Sequence, residues 1–513
     1  MKDRKLAMNT ALLTASGLTL RFVGMVWQVW LAGRIGEAGI GLFQLVMSVA
    51  ALAATVAVSG SRYTVTRLVS EELGRRRKHG AARGMTVCTL YGLFFGLAAG
   101  AALMFLAEPL GFLWLGDART VRPLMLLALE MPLTGLDSVM HGYFTAVGRV
   151  WKSVLITVLQ QAATIAVTAV MLMRLPAGNL EVACLAITAG RLLGAAMEIV
   201  SMAVVYFHDR RRHDIVYWEK DLPLTGMTNR ALSIALPLAF ASYARSGFST
   251  LQHLLVPVGL RASGLGADAA LAGYGVIQGM ALPVVLFPSC VMLAAAELIV
   301  PELTGQQVRQ ENGDIRETTS RTLRLGFLFS ALCAALFLAL GDGLGMALYG
   351  SPDAGRYIRL FALIVPVMYL DMLTDGCLKG LGQMMFCMYV NIADAGLSAL
   401  MVWLLLPRWG LTAYIVTICF TEAFNFALSL ARLMKTSGFR PDLGCFAGIS
   451  LRAAVSGGAA WLSFHAISAG NGVPALIFSV ILGLTVYVVL LRPWGDREEA
   501  GKPASDRQYR RCW

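Results

Sequence analysis

The stretch PLTGLDSVMHGYFTAVG (132–148) returns later in the chain as PVMYLDMLTDGCLKGLG (366–382). Pro132, Asp137, Gly142 and Gly148 each meet an identical residue 234 positions on, at Pro366, Asp371, Gly376 and Gly382. The segment AGIGLFQ (38–44) matches AGYGVIQ (272–278) at the same offset, and Arg122 matches Arg356. Upstream, Arg21 and Gln28 recur as Arg245 and Gln252 at an offset of 224, which fits a longer loop around RASGLGADAA (261–270) in the second copy. One structural unit is therefore written twice.

The solvent of that unit follows from composition. The chain has 513 residues, 57% hydrophobic and 14% charged, against about 25% charged in soluble proteins. Fourteen apolar segments run from 7–33 to 472–491, each near the length of about 20 residues that spans about 30 Å of hydrocarbon as a helix. Open strands would leave backbone groups unpaired in lipid. The expectation is an all-α polytopic membrane protein of about fourteen transmembrane helices. Residues 1–213 form one six-helix bundle and 214–436 its repeat. Two additional helices occupy 437–492, and 493–513 is a polar cytoplasmic tail. Six is even, so both bundles enter the bilayer the same way and are related by a pseudo-two-fold axis along the membrane normal, with a cleft between them.

Lys and Arg gather in alternate loops, which places both termini in the cytoplasm of a cell with this protein in its cytoplasmic membrane. The N-terminal basic run and long apolar segment read as a retained first helix. The net charge of +12 is thus mainly topology, with attraction to anionic lipids of about 1 kcal/mol per basic residue. No basic stripe is interleaved with aromatics, so nucleic acid is not an expected partner. No GxxxxGK[ST] motif supports direct use of ATP. The nine cysteines lack metal spacing and read as apolar filler. Neither a metal nor an organic cofactor is expected, beyond coupling to Na⁺ or H⁺.

Candidate functional residues are those whose place in the bilayer is costly. Pro132 and Pro366 each remove a helical hydrogen bond, to the carbonyls of Ala128 and Ala362, and read as hinges. Gly17, Arg21, Gly24 and Gln28 form one stripe on the first helix, and Arg245 and Gln252 repeat it on the seventh. The sixth helix carries Arg191, with Glu198 seven residues on. Charges at such depth normally face a cavity or a partner. Arg21, Arg191 and Arg245, with Gln28 and Gln252, suggest a cationic cavity for an anionic cargo, since guanidinium grips phosphate through two donors. The competing reading is that each Arg clamps a local carboxylate. Asn391, Asp394 and Ser398 share a stripe on the eleventh helix, and Glu422, Asn425 and Ser429 share one on the twelfth. Asn391, Asp394 and Glu422 are candidates for coupling Na⁺ or H⁺, or for interhelical glue.

LTLRFVGMVWQVWLAGRIGEAGIGLFQLV (18–46), LVSEE (68–72), HGYFTAVGR (141–149), ALPLAFAS (235–242), AAELIVPELT (295–304) and LKGLGQ (378–383) together resemble the stage V sporulation protein B-like branch of the multidrug/oligosaccharidyl-lipid/polysaccharide flippase superfamily. This superfamily includes lipid II flippases and MATE transporters. The resemblance implies a flippase for lipid-linked saccharides of the undecaprenyl-pyrophosphate type, in polysaccharide, peptidoglycan or spore-envelope synthesis, with glycosyltransferases as possible partners. Arg21 matches the first cavity arginine of the lipid II flippases. Trp27 or Gln28 stands where they usually carry an Arg-Asp pair, so the resemblance implies the anionic lipid-linked class rather than lipid II itself. The alternative is a Na⁺- or H⁺-coupled MATE-like antiporter. A membrane glycosyltransferase would need a large outer catalytic loop, and the outer loops are short.

Overall fold

The computed structural model describes residues 2–74, 78–174, 179–211, 224–467 and 472–500. Among them every regular element is helical: α1 (Lys2–Val58), α2 (Ser61–Gly74), α3 (Lys78–Pro109), α4 (Val121–Ala146), α5 (Val150–Arg174), α6 (Leu180–Arg211), α7 (Leu224–Ala262), α8 (Ala267–Gly275), α9 (Leu282–Leu286), α10 (Ser289–Val308), α11 (Asn312–Tyr349), α12 (Pro352–Ala362), α13 (Val365–Gly380), α14 (Met384–Ser437), α15 (Leu443–Ile467) and α16 (Gly472–Ala500). Ten of the described helical stretches are long and apolar enough to cross a membrane, or up to 11 when the bent pair α12–α13 counts as one span.

Two of those stretches are double. α1 breaks at Gly36 (φ 72°) and α14 at Gly410 (φ 55°). Both angles lie in the left-handed region that glycine enters without a Cβ clash. Dividing α1 and α14 there, and adding α7, recovers the fourteen helices that hydropathy implies. The sequence-based eighth helix (269–300) is not continuous. It passes from α8 through a π-helical turn (Val276–Ala281) into α9, then breaks before α10, whose N-cap is Pro288. The cause is local, because Pro288 has no N–H to carry the α9 ladder onward. At the C-terminus α16 continues to Ala500, into the expected tail. Residues 1, 75–77, 175–178, 212–223, 468–471 and 501–513 lie outside the described residues.

The chain forms two compact units, residues 1–279 with 391–418 and residues 280–390 with 419–513. In the first, the core joins α2 to α7 around Val65, Leu68, Met85, Val139, Phe144, Ile156, Met202 and Met227. Here α3 and α4 come close because small residues face each other. A Cβ built at Gly96 would stand 2.8 Å from the Pro132 Cα, and one at Gly100 2.6 Å from the Ala128 carbonyl oxygen. That carbonyl is the one Pro132 deprives of its helical donor, and α3 covers it. In the second unit, α11, α15 and α16 share a core of Ala331, Ala335, Ile449, Ala453 and Tyr487. Large side chains stand outward in both units, including Phe105 at 82% and Phe240 at 76% exposure in the first and Leu363 and Leu451 at 69% in the second. Such surfaces suit lipid and would be costly in water.

The repeat is visible in backbone detail within each unit. Gly148 (φ 69°) and Gly382 (φ 71°) close the same helix-ending turn. In the first, Arg149 N donates to Phe144 O and Gly148 N to Thr145 O. In the second, Gln383 N donates to Leu378 O and Gly382 N to Lys379 O. Each of these partners also lies 234 residues from its counterpart.

Candidate functional site

The first unit holds two polar cavities that share a wall. The larger, of about 450 Å³, lies between α1, α7 and α8. Its α1 wall is Gln44, Ser48, Ala51 and Thr55, and its α7 wall is Ser242, Ser246, Ser249 and His253. Both sets follow the i, i+4, i+7, i+11 spacing of one helical face. Thr55 Oγ1 donates to Ser246 Oγ at 3.1 Å, and Thr250 Oγ1 to the Ser48 carbonyl at 3.0 Å, so the walls are tied across the cavity edge. The floor is aromatic and polar. The Tyr274 hydroxyl and His253 Nδ1 are 3.1 Å apart, and the Tyr414 hydroxyl donates to Gln278 Oε1 at 3.1 Å.

Arg245 brings the charge to this cavity. Arg245 is exposed and interacts electrostatically with Asp394 on α14. No ion pair within 4.0 Å joins Arg245 to a carboxylate among the described residues. A single guanidinium ringed by hydroxyls and amides offers many donors to an anion, and phosphate is the anion that uses them best.

The smaller cavity, of about 240 Å³, is lined by Glu130, Asp137, Gln160, Arg191 and Glu198, and shares Met47 and Ala51 with the larger. Arg191 Nη2 donates to Glu130 Oε1 at 2.8 Å, and the Glu130 side chain is only 8% exposed.

The three arginines of the sequence reading therefore do not share one cavity. Arg245 lines the larger; Arg191 lines the smaller and is held by Glu130, the local clamp of the competing reading. Arg21 lines neither and stands exposed on α1. Gln28 donates from Nε2 to the carbonyl of Gly279 at 2.9 Å, tying α1 to the π-helical turn after α8. Gln252 is half-buried and outside the cavity lining. Asn391 and Asp394 belong to the first unit, and Asp394 Oδ1 is buried without a hydrogen-bond partner. Glu422 belongs to the second unit, where Asn425 Oδ1 and Ser429 Oγ on its stripe are likewise unpartnered. The proline positions differ. α4 runs unbroken through Pro132, whereas α12 and α13 meet at 57° just before Pro366.

The hydroxyl walls and the Glu130–Arg191 pair were not singled out from the sequence. A helical stripe marks each of them. Glu130, Thr134, Asp137 and His141 follow the same i, i+4, i+7, i+11 face on α4.

Stage V sporulation protein B of Bacillus subtilis (strain 168) is 22% identical over 359 residues, covering 69% of this chain and 68% of that protein. Among solved structures, the lipid II flippase MurJ in an inward closed conformation superposes with a TM-score of 0.70 at 12% identity, covering 94% of this chain and 98% of the other. An inward-facing multidrug resistance MATE family transporter of the MOP superfamily gives 0.61 at 14% identity, covering 83% and 96%. The MatE family model matches residues 257–404. The model described as "Polysaccharide biosynthesis protein" matches residues 6–293, more than half of the chain, and the protein belongs to that family.

Proposed function

We propose that this protein is an alternating-access flippase that moves a lipid-linked saccharide with an anionic, pyrophosphate-type head across the cytoplasmic membrane. The observation that carries the reading is Arg245 in a cavity of hydroxyls and amides, with no carboxylate in ion-pair contact among the described residues. The head group would sit against Arg245, Ser246, Ser249 and Gln278 while the polyprenyl tail stays in lipid. Arg21 and Gln28 on α1, and Arg191, would meet the head on its way in or out. The halves 1–213 and 214–436 would be the rocking bodies, with Pro132 and Pro366 as their hinges. Loop charge supports cytoplasmic termini. Because the cargo must be assembled before it is flipped, glycosyltransferases stand upstream.

Coupling to Na⁺ or H⁺ is the second reading. It is supported by the buried, unpartnered Asp394 Oδ1, an arrangement that suits an oxygen-coordinated cation or a proton. Asn391 and Asp394 would hold the ion in the first unit, and Glu422 in the second.

Reconstituted vesicles carrying a fluorescent undecaprenyl-pyrophosphate saccharide test the main reading. Arg245→Ala should slow head-group translocation by about tenfold or more, as expected for loss of a charge-assisted contact of about 1.5–3 kcal/mol. Arg245→Lys should recover part of the rate. Undiminished transport in Arg245→Ala refutes the assignment.

A further inference from the structure

Beside the smaller cavity, three side chains from two helices converge: Asp137 and His141, one turn apart on α4, and Glu198 on α6. His141 Nε2 stands 3.5 Å from Asp137 Oδ1 and 3.6 Å from Glu198 Oε1. All three ligand atoms lie within 4.8 Å of one another. Thr157 Oγ1 is 3.4 Å from His141 Nε2 and donates to Glu198 Oε1 at 2.9 Å. The His141–carboxylate separations are too long for good hydrogen bonds. They match the edge of a tetrahedron, about 3.4 Å for metal–ligand bonds of about 2.1 Å. We propose that His141, Asp137 and Glu198 form a binding site for a divalent transition-metal ion of the Zn²⁺ type.

Two further observations point to a missing positive charge. Asp137 Oδ1 and Glu130 Oε2 are buried and have no hydrogen-bond partner, and the Glu130 side chain is only 8% exposed. The cavity lining also holds three carboxylates, Glu130, Asp137 and Glu198, against one guanidinium, Arg191. Arg62 also interacts with Asp137, but it is exposed and does not line the cavity. In a bilayer-spanning bundle an excess of two negative charges is costly, and a divalent cation balances it. The imidazole nitrogen selects the metal class. Nitrogen with carboxylate oxygen suits Zn²⁺ and its neighbours, whereas Na⁺, Mg²⁺ and Ca²⁺ take all-oxygen shells.

The internal repeat supplies a control. At the 234-residue offset, Asp137, His141, Thr157 and Glu198 become Asp371, Asp375, Asn391 and Arg432. The second copy replaces the imidazole with a carboxylate and one carboxylate with a guanidinium. The donor set therefore belongs to the first copy alone.

The test uses the full-length protein, stripped of metal in detergent and titrated with Co²⁺, a spectroscopic stand-in for Zn²⁺. The wild type should take up one Co²⁺ with intense visible bands of a four-coordinate N/O site, and Zn²⁺ should displace it. Glu198→Gln should weaken uptake by about tenfold or more, and His141→Ala should abolish the bands. His141→Cys keeps a ligand at that position and should restore binding with a sulfur-to-cobalt charge-transfer band, which separates loss of a ligand from loss of fold. A wild type without a stoichiometric Co²⁺ spectrum, a spectrum unchanged in His141→Ala, or displacement by Na⁺ alone overturns the site.

Discussion

Gly41 and Gly275, 234 residues apart in sequence, lie backbone against backbone where α1 crosses α8. A Cβ built at Gly41 would collide with the Leu271 carbonyl oxygen, and one at Gly275 with the Glu37 carbonyl oxygen. Leu271 is the repeat counterpart of Glu37. The contact is therefore reciprocal, the signature of a two-fold axis passing between equivalent residues. A duplicated bundle that folds back on itself brings its copies together this way, and glycine on both sides lets the helices touch.

Substitution at this crossing should be costly. Gly41→Val or Gly275→Val should each destabilise the protein by about 1–3 kcal/mol through overpacking, read as a lower unfolding temperature in detergent. One outward shift of the helices relieves both clashes, so the double variant should cost less than the sum of the two. Gly33 has no atom within 4 Å of its built Cβ. Gly33→Ala should be neutral or slightly stabilising, by up to about 1 kcal/mol from helix propensity.

Arg245 and Asp394 should show opposite effects on anion binding. Asp394 is the carboxylate that offsets the Arg245 charge. Asp394→Asn frees the guanidinium, so affinity for pyrophosphate should rise roughly fivefold, or about 1 kcal/mol of coupling. Arg245→Ala should lower it, and in the double variant Asp394→Asn should have little further effect. Calorimetric titration of the four proteins with pyrophosphate completes the cycle.

The architecture was legible because its constraints are local. An apolar run of about 20 residues reports a membrane span wherever it occurs. Pro132, Gly148 and their counterparts recur because a missing N–H or a left-handed φ admits few residues. Which side chains meet was less legible. Arg191 and Glu198 stand seven residues apart on one helix, but the carboxylate that takes Arg191 is Glu130, 61 residues away on α4. His141 and Glu198 converge only because α4 and α6 pack side by side. The grouping of residues 391–418 with the first unit follows from packing rather than chain order.

Gln28 should prove more structural than its place beside Arg21 suggests. Its amide donates to the Gly279 carbonyl in the π-helical turn. Gln28→Leu leaves that carbonyl without this donor and should cost about 0.6–1.5 kcal/mol, with pyrophosphate affinity kept within about twofold, or about 0.4 kcal/mol. Gln28→Glu also removes the donor, so it should be destabilised to at least the same degree. Thermal unfolding and anion titration of both variants separate a loss of stability from a loss of binding.

The two prolines should differ in how far they bend their helices. At Pro132 the freed Ala128 carbonyl packs against Gly100, and α4 stays continuous. At Pro366 the freed carbonyl is that of Ala362, and the position equivalent to Gly100 is Ala334. Ala334, Ala362, Leu363 and Pro366 line a cavity of about 540 Å³ instead of closing on each other. The chain bends by 57° there. Nitroxide labels at Arg356 and Lys379 flank the bend, and labels at Arg122 and Thr145 occupy the equivalent positions on α4. A straight helix would separate either pair by about 35 Å, and a bend shortens that span by a few ångströms. Pro366→Ala restores the missing donor to Ala362, so the Arg356–Lys379 distance should lengthen toward the straight value. Pro132→Ala should leave the Arg122–Thr145 distance unchanged. An Arg356–Lys379 distance left unchanged by Pro366→Ala would mean that the bend comes from packing around α12 and α13, not from the proline.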